Sequence, residues 1–247
     1  MKKYCITSIL LCCFIAAFAQ AETGYFKQNN SYDLSLSSNL SQHVGALGWS
    51  HLHGIGKGKK RFSIGYGLRL NSSFGGKKDF ITAPGKLTSG VESPLIIFSE
   101  YIPGNFDTLS FSHYNTNSLN AVIHLNYAIL HNLNVEFNID ALGFSFGKAQ
   151  TADYTTTKRL QSPNTSEKQA AKPTPFNVLL VSDNDIGNLN SEILAKYWFN
   201  PHWAVKAGGT FIFSEYTTTN KLFLDNTRFR NKAFMPMIGI SYSPFRE

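Results

Sequence analysis

Hydrophobic positions recur at every second residue through most of the chain beyond its first twenty or so residues. From Arg61 to Phe74, one side of an extended chain carries Phe62, Ile64, Tyr66, Leu68 and Leu70, and the other carries Ser63, Gly65, Gly67, Arg69 and Asn71. A period of two marks a strand with one apolar face, because successive side chains of a pleated strand point to opposite sides. The same rule separates Leu119, Ala121, Ile123, Leu125 and Tyr127 from Asn120, Val122, His124 and Asn126. It separates Val135, Phe137, Ile139 and Ala141 from Glu136, Asn138 and Asp140, and Phe234, Ile238, Ile240 and Tyr242 from Met235, Met237, Gly239 and Ser241. With weaker cases included, the pattern predicts eight strands, at about 32–40, 43–53, 61–74, 118–130, 134–147, 188–199, 203–216 and 233–245.

The connections carry as much information as the strands. Ile55 to Lys59, His131-Asn132-Leu133 and Asn200-Pro201-His202 read as tight turns. Between them lie long polar stretches at about 75–117, 148–187 and 217–232, read as loops. From the second strand onward, short and long connections therefore alternate, as they do when all the turns lie at one end of an up-and-down barrel and the long loops at the other. Leu95 to Ile102 and Thr108 to Tyr114, joined through Pro103-Gly104-Asn105, form a candidate extra hairpin, which makes ten strands the alternative count.

Alternation alone does not say which face is inside: a soluble barrel is apolar within, and a membrane barrel is apolar without. Three features favour the second. Several segments exceed the five or six residues of a usual soluble strand and reach the roughly 9 to 11 needed to cross a bilayer. The polar face carries small residues, Asn and His with isolated charges (Arg69, Glu136, Asp140, Glu192, Lys196 and Lys206) instead of a dense Lys and Glu coat. Aromatic residues gather near strand ends, with Trp198, Phe199 and Trp203 flanking one short turn and Tyr242 and Phe245 near the end of the last strand, as an interfacial girdle requires.

Composition agrees with an exported protein. Lys2 and Lys3, the apolar run Ile6 to Ala17 and the small residues around Ala19 and Ala21 predict a signal peptide over residues 1–21, cleaved after Ala19 or Ala21, with residues 22–247 as one barrel domain. All three cysteines, Cys5, Cys12 and Cys13, fall in that segment, so the remainder has no disulfide framework, thiolate zinc site or Cys nucleophile. The net charge is +7, and removing two lysines leaves +5. The basic residues are scattered and the protein is expected to leave the cytoplasm, so nucleic acid is not an expected partner and an anionic lipid surface is.

On these residues the chain resembles the small OmpA/OmpX-type outer-membrane β-barrel proteins. The resemblance covers nearly all of the chain after the signal and rests on the signal itself, the eight alternating strands, the turn and loop asymmetry and the absence of cysteine. It implies an all-β, antiparallel, up-and-down transmembrane barrel in the bacterial outer membrane, with short turns and both termini in the periplasm and long loops outside. It also implies lipopolysaccharide and outer-membrane lipid as surroundings, and the barrel-assembly machinery as a partner in biogenesis. Members commonly end on an aromatic residue, whereas this chain has Phe245 two residues before its end.

Candidate chemistry is sparse. A tight register about Asn132 would put His124 opposite Asp140 and Asn126 opposite Asn138, which we read as part of a lumen-filling polar network with Arg69, Glu136, Glu192, Lys196 and Lys206. Asp183 and Asp185 are expected to pair with Arg228 and Arg230 at the extracellular rim. Asp183 to Asn188 lacks the full pattern of a calcium loop, and His51 with His53 lacks a third ligand, so no metal or cofactor is expected. The expected function is non-enzymatic, structural or surface-binding through the loops, with the loop partner unidentified. The alternatives are a small diffusion channel, an outer-leaflet lipid-modifying enzyme using His113, Ser110 and Ser112, and a soluble periplasmic barrel with an apolar pocket.

Overall fold

The period-two segments form the long strands of the protein. The structure is a computed structural model that describes residues 29–56, 61–93, 95, 98–156, 158, 161–162 and 166–244. The expected signal segment and Phe245 lie outside them. The described strands are β1 (Asn29–Ser38), β2 (Gln42–Ile55), β3 (Phe62–Gly75), β4 (Lys78–Thr82), β5 (Thr108–Phe111), β6 (Tyr114–Ala128), β7 (Leu133–Phe146), β8 (Gln150–Thr155), β9 (Lys168–Pro173), β10 (Phe176–Val178), β11 (Leu189–Trp198), β12 (Trp203–Thr218) and β13 (Arg228–Tyr242). One short helix, α1 (Gly85–Thr88), lies between β4 and β5.

Among the described residues thirteen strands replace the expected eight, or ten, and all are antiparallel in one sheet. The extra ones are β4, β5, β8, β9 and β10, which lie in stretches expected to be loop. The candidate hairpin is also corrected: Thr108–Phe111 pairs with β4 and β8, not with residues 95–102. These strands are 3 to 6 residues long, too short for alternation to stand out from a polar background.

The pairings close two rings. The first runs β1–β2–β3–β6–β7–β11–β12–β13 and returns to β1, with Tyr32 opposite Tyr242 at the seam. The second runs β12–β9–β8–β5–β4–β13, using only the loop-side ends of β12 and β13. The hairpin β12–β13 therefore belongs to both; β4, β5, β8 and β9 form a collar standing on the main ring, and β10 pairs with the loop-side end of β7. Closure leaves no exposed edge among the strands of either ring.

The two rings have opposite polarity. In β3 of the main ring, Phe62, Ile64, Tyr66, Leu68 and Leu70 face outward and are exposed, while Ser63, Arg69, Asn71 and Ser73 face inward and are buried. The collar instead encloses a hydrophobic core of Phe80, Leu109, Phe111, Tyr114, Ala152, Tyr154, Ala171, Tyr216, Leu222 and Phe229. Phe80 makes edge-on contacts with Phe111, Tyr114 and Tyr216 at centroid distances of 5.1, 5.7 and 5.2 Å. Such aromatic pairs add to the area they bury. Tyr154 closes one side by donating its hydroxyl to Asp107 Oδ2 at 2.6 Å.

A bulge corrects the strict alternation expected of β7. The register with β6 slips between Ala121 and Val122, leaving Ala141 as the extra residue. One inserted residue reverses the facing of everything beyond it. Asp140 consequently stays inside while Leu142, Phe144 and Phe146 turn outward.

Candidate functional site

The interior of the main ring is filled by a charged network. From β3, Arg69 donates to Asp140 of β7 through Nε at 2.9 Å and Nη2 at 2.5 Å, and pairs through Nη1 with Glu192 of β11 at 2.6 Å. Asp140 also accepts from Asn120 Nδ2 at 2.6 Å and from the backbone N–H of Asn190 at 2.9 Å. Nearer the short turns, Lys196 lies 2.9 Å from Glu136 and 3.8 Å from Asp33, and Lys206 lies 3.7 Å from the same Asp33 oxygen. His124 Nδ1 meets Asn138 Oδ1 at 2.7 Å, and Asn138 Nδ2 donates to Glu192 at 3.1 Å. Charges withdrawn from water persist only when paired, and here each carboxylate faces a cation.

The nine residues expected in the lumen (Arg69, His124, Asn126, Glu136, Asn138, Asp140, Glu192, Lys196 and Lys206) are all buried. Their pairing differs from the expected register. His124 is opposite Asn138 and Asn126 is opposite Glu136, so His124 has no Asp140 beside it. The cause is the turn: Ile129 and Leu130 both donate backbone N–H groups to Leu133 O, and the midpoint moves one residue toward β6, which changes each cross-strand partner by two. Asp33, which joins both lysines, is a residue that the sequence reading omitted. Its position between Tyr32 and Leu34, in phase with Ser35 and Ser37, was the available signal.

Space inside is scarce. Two small interior cavities among the described residues, one bordered by Asp33, Arg69, His124 and Lys206 and the other by Asn71, Ser118, Asn190 and Ile212, measure about 20 Å³ each. That is room for about one water apiece. Glycine supports the tight fit: a methyl group on Gly67 would sit 2.7 Å from His124 Nε2.

A second charged cluster lies on the outer face of β12–β13, where the hairpin rises from the main ring into the collar. Glu215 is opposite Arg230 in the register and accepts from Arg230 Nη2 at 2.8 Å and from Arg228 Nε and Nη2 at 2.7 and 3.0 Å. Arg228 and Arg230 do fall on one side, as expected, but their carboxylate partner is chiefly Glu215 and not the expected pair Asp183 and Asp185. Asp185 offers its backbone oxygen to both arginines, and its carboxylate accepts from the N–H of Leu180 at 2.6 Å. Burial pushes the Asp185 carboxyl above its ordinary value. Asp183 pairs with Lys232, and its Oδ1 is 3.8 Å from Arg230 Nη1. A lone acid on the otherwise apolar side of a period-two strand was the signal for Glu215.

Most of the outward aromatics form two groups, with Tyr66 and Phe137 standing between them. Toward the short turns stand Tyr32, Phe62, Tyr127, Tyr197, Phe199, Trp203 and Tyr242, with the rings of Trp203 and Tyr242 4.8 Å apart. Toward the collar stand Phe74, Phe144, Phe146, Phe211 and Phe234. Aliphatic side chains such as Leu34, Leu68, Ile123, Ile193 and Ile238 are exposed between them. Trp198 is a correction: it is only 3% exposed, faces inward in phase with Lys196, and lies under the Lys196 ammonium at 5.7 Å.

Ser110, Ser112 and His113 do not form a relay. Ser110 donates to Asp79 at 2.6 Å, whereas Ser112 meets His113 at 3.2 Å, both at exposed positions. His51 and His53 face each other edge-on at 4.4 Å on the outer surface. Among the described residues no group of three or more acidic or imidazole side chains is placed to hold a metal ion.

No family model and no curated protein matches the chain. Among solved structures it is similar to the outer membrane protein Ail of Yersinia pestis in a phospholipid nanodisc, at 12% identity and a TM-score of 0.34, covering 88% of this chain and 99% of that one. It is also similar to a major outer membrane protein of Thermus thermophilus, at 10% identity and a TM-score of 0.38, covering 88% and 100%. A Pseudomonas aeruginosa FadL homologue aligns at 9% identity with a TM-score of 0.20, covering 82% and 68%. At such low scores the chain's own geometry has to carry any functional reading.

Proposed function

We propose that the chain is a non-enzymatic bacterial outer-membrane β-barrel protein whose interior is sealed and whose collar is displayed outside the cell for surface binding. The observation that carries this reading is the inversion of the main ring, apolar and exposed outside, charged and buried inside. In water that surface would drive association, whereas in a bilayer it meets its own kind. The belt has a suitable height. Phe62 and Phe74 stand at opposite ends of β3, ~40 Å apart along the strand at about 3.3 Å per residue. At the roughly 40° tilt usual for such barrels this is about 30 Å along the axis, close to the thickness of a bilayer's hydrocarbon core.

The alternatives have less support. A diffusion channel needs an open lumen, and the interior voids hold about one water each. A soluble carrier needs its apolar face inside, and the main ring has it outside. A lipid-modifying enzyme needs nucleophile, base and an orienting group in one relay, and while Ser112 meets His113 on the exposed surface, Ser110 turns to Asp79 instead.

The cysteine-free segment permits a direct test. Single cysteines are placed at Ser112, exposed in the collar, and at His131, exposed at the opposite end, and intact cells are treated with a thiol reagent that does not cross the outer membrane. Labelling of Ser112→Cys on intact cells, with His131→Cys labelled only after lysis, is expected. Equal protection of both, with the protein in the soluble periplasmic fraction, would overturn the reading.

A further inference from the structure

Above the belt, where β4 stops pairing with β13 and Ala83, Thr88, Tyr101 and Phe106 lie over the outer face, there is a cavity of about 360 Å³. It lies at the low end of the range for small-molecule sites, and the interior voids are far smaller. Arg230, Asn231, Lys232 and Asp183 contribute polar groups to its wall, and Tyr101 and Phe106 contribute an edge-on aromatic pair with centroids 5.6 Å apart.

Two of these polar groups are incompletely used. Arg230 is 2% exposed, and its Nη1 makes no hydrogen bond and has the Asp183 carboxylate 3.8 Å away, while Asn231 Oδ1 accepts none. One is a donor and the other an acceptor, on consecutive residues. A ligand that both accepts and donates hydrogen bonds matches this pair of roles. Hydroxyl groups donate and accept at once. The Arg230 guanidinium is also held in place, by Glu215 on one side and by the Phe213 ring 5.1 Å away on the other. A fixed guanidinium beside the Lys232 ammonium is suited to a carboxylate or phosphate.

We propose that this cavity binds a sugar ring carrying an acidic substituent, its hydroxyls engaging Asn231, Asp183 and Arg230 Nη1, its acid facing Arg230 and Lys232, and its C–H face lying on Tyr101 and Phe106. The site names the ligand class of the surface-binding role proposed above and rests on that reading. Free glycans and the acidic sugars of outer-leaflet glycolipid share this chemistry.

The test uses the full chain refolded in detergent micelles, with glucose and glucuronate as probes and saturation-transfer NMR as the readout. Both sugars are expected to receive saturation, and glucuronate to bind about tenfold more tightly. Tyr101→Ala is expected to weaken both about tenfold, and Lys232→Met to remove most of the preference for glucuronate. Asn231→Leu, which leaves the Glu215 cluster intact, should weaken glucose and glucuronate alike. Competition by purified lipopolysaccharide would assign the site to glycolipid, and its absence to free glycan. No transfer to either sugar at about 20 mM, or transfer unchanged in Tyr101→Ala and Asn231→Leu, would overturn the proposal. If Ser112→Cys is labelled from outside the cell in that case, the surface reading stands and only the sugar site falls.

Discussion

Arg69 and Asp140 are joined across an intervening strand: Arg69 on β3 reaches past β6 to place two N–H groups on one oxygen of Asp140 on β7. The contact binds the interior laterally, where backbone hydrogen bonds link only neighbours. Its free energy is dominated by what happens when it is broken, because Asp140 and Glu192 are both buried and would lose their shared cation. Arg69→Met is expected to destabilise the refolded protein by about 3–5 kcal/mol, read as a fall in the urea midpoint at unchanged slope.

The belt can be tested at Ile238, which is 65% exposed on β13. In water, Ile238→Arg at such a position would be neutral or would improve solubility. In the middle of a bilayer it costs about 2–4 kcal/mol. We expect unfolding from lipid vesicles to shift by that amount, and the same substitution at Ser112 to shift it by less than about 0.5 kcal/mol.

A sealed interior has an electrical consequence. Pure refolded protein in a planar bilayer is expected to give no discrete conductance steps, because the charged side chains occupy the path. Regular steps in wild-type protein would reinstate the channel reading.

The collar has its own core and is expected to fail on its own. Phe80 is fully buried among Phe111, Tyr114 and Tyr216, and Phe80→Ala should cost about 3–5 kcal/mol locally. Limited proteolysis should then cut within residues 76–113 or 147–188 while the main ring persists as a protected fragment. Loss of both together would mean that the rings unfold as one unit.

Asp185 gives a dependence on pH. Its carboxyl is raised in the folded protein, so folding favours the protonated form. The folded state then binds the proton more tightly than the unfolded chain, and stability falls as pH rises from the ordinary carboxylate value through the raised one. Relative to wild type, Asp185→Asn should be more stable at neutral pH, with the difference shrinking as pH falls toward 4; paired thermal melts at each pH measure it. A constant difference would exclude titration of Asp185 as its source.

How much the sequence disclosed follows from how local each feature is. The inversion of Phe62, Ile64, Tyr66 and Leu68 against Arg69 and Asn71 is written into consecutive residues, so strand polarity was legible. Lys168–Pro173 carries no such contrast, and it is a strand only because β8 and β12 lie on either side of it. Register was out of reach for a similar reason: whether His124 meets Asp140 or Asn138 depends on one residue of turn geometry at Leu133. The bulge at Ala141 does leave a trace, a change of phase from Val135, Phe137 and Ile139 to Leu142, Phe144 and Phe146, which a single alternating strand passes over. Glu215 and Asp33 were visible as charges, and their roles were not, since both take partners from strands distant in the chain.

The sharing of β12–β13 by two rings sets a timetable for biogenesis. Four collar strands are made early, between residues 78 and 173, yet none of their ring can be completed until residues 203–242 have been added. Until then β4 and β9 present bare hydrogen-bonding rims and an uncovered aromatic nucleus. A chain interrupted before Trp203 would thus lack closure at both levels, and the final hairpin serves as the clasp by which an unfinished molecule differs, to any protease, from a finished one.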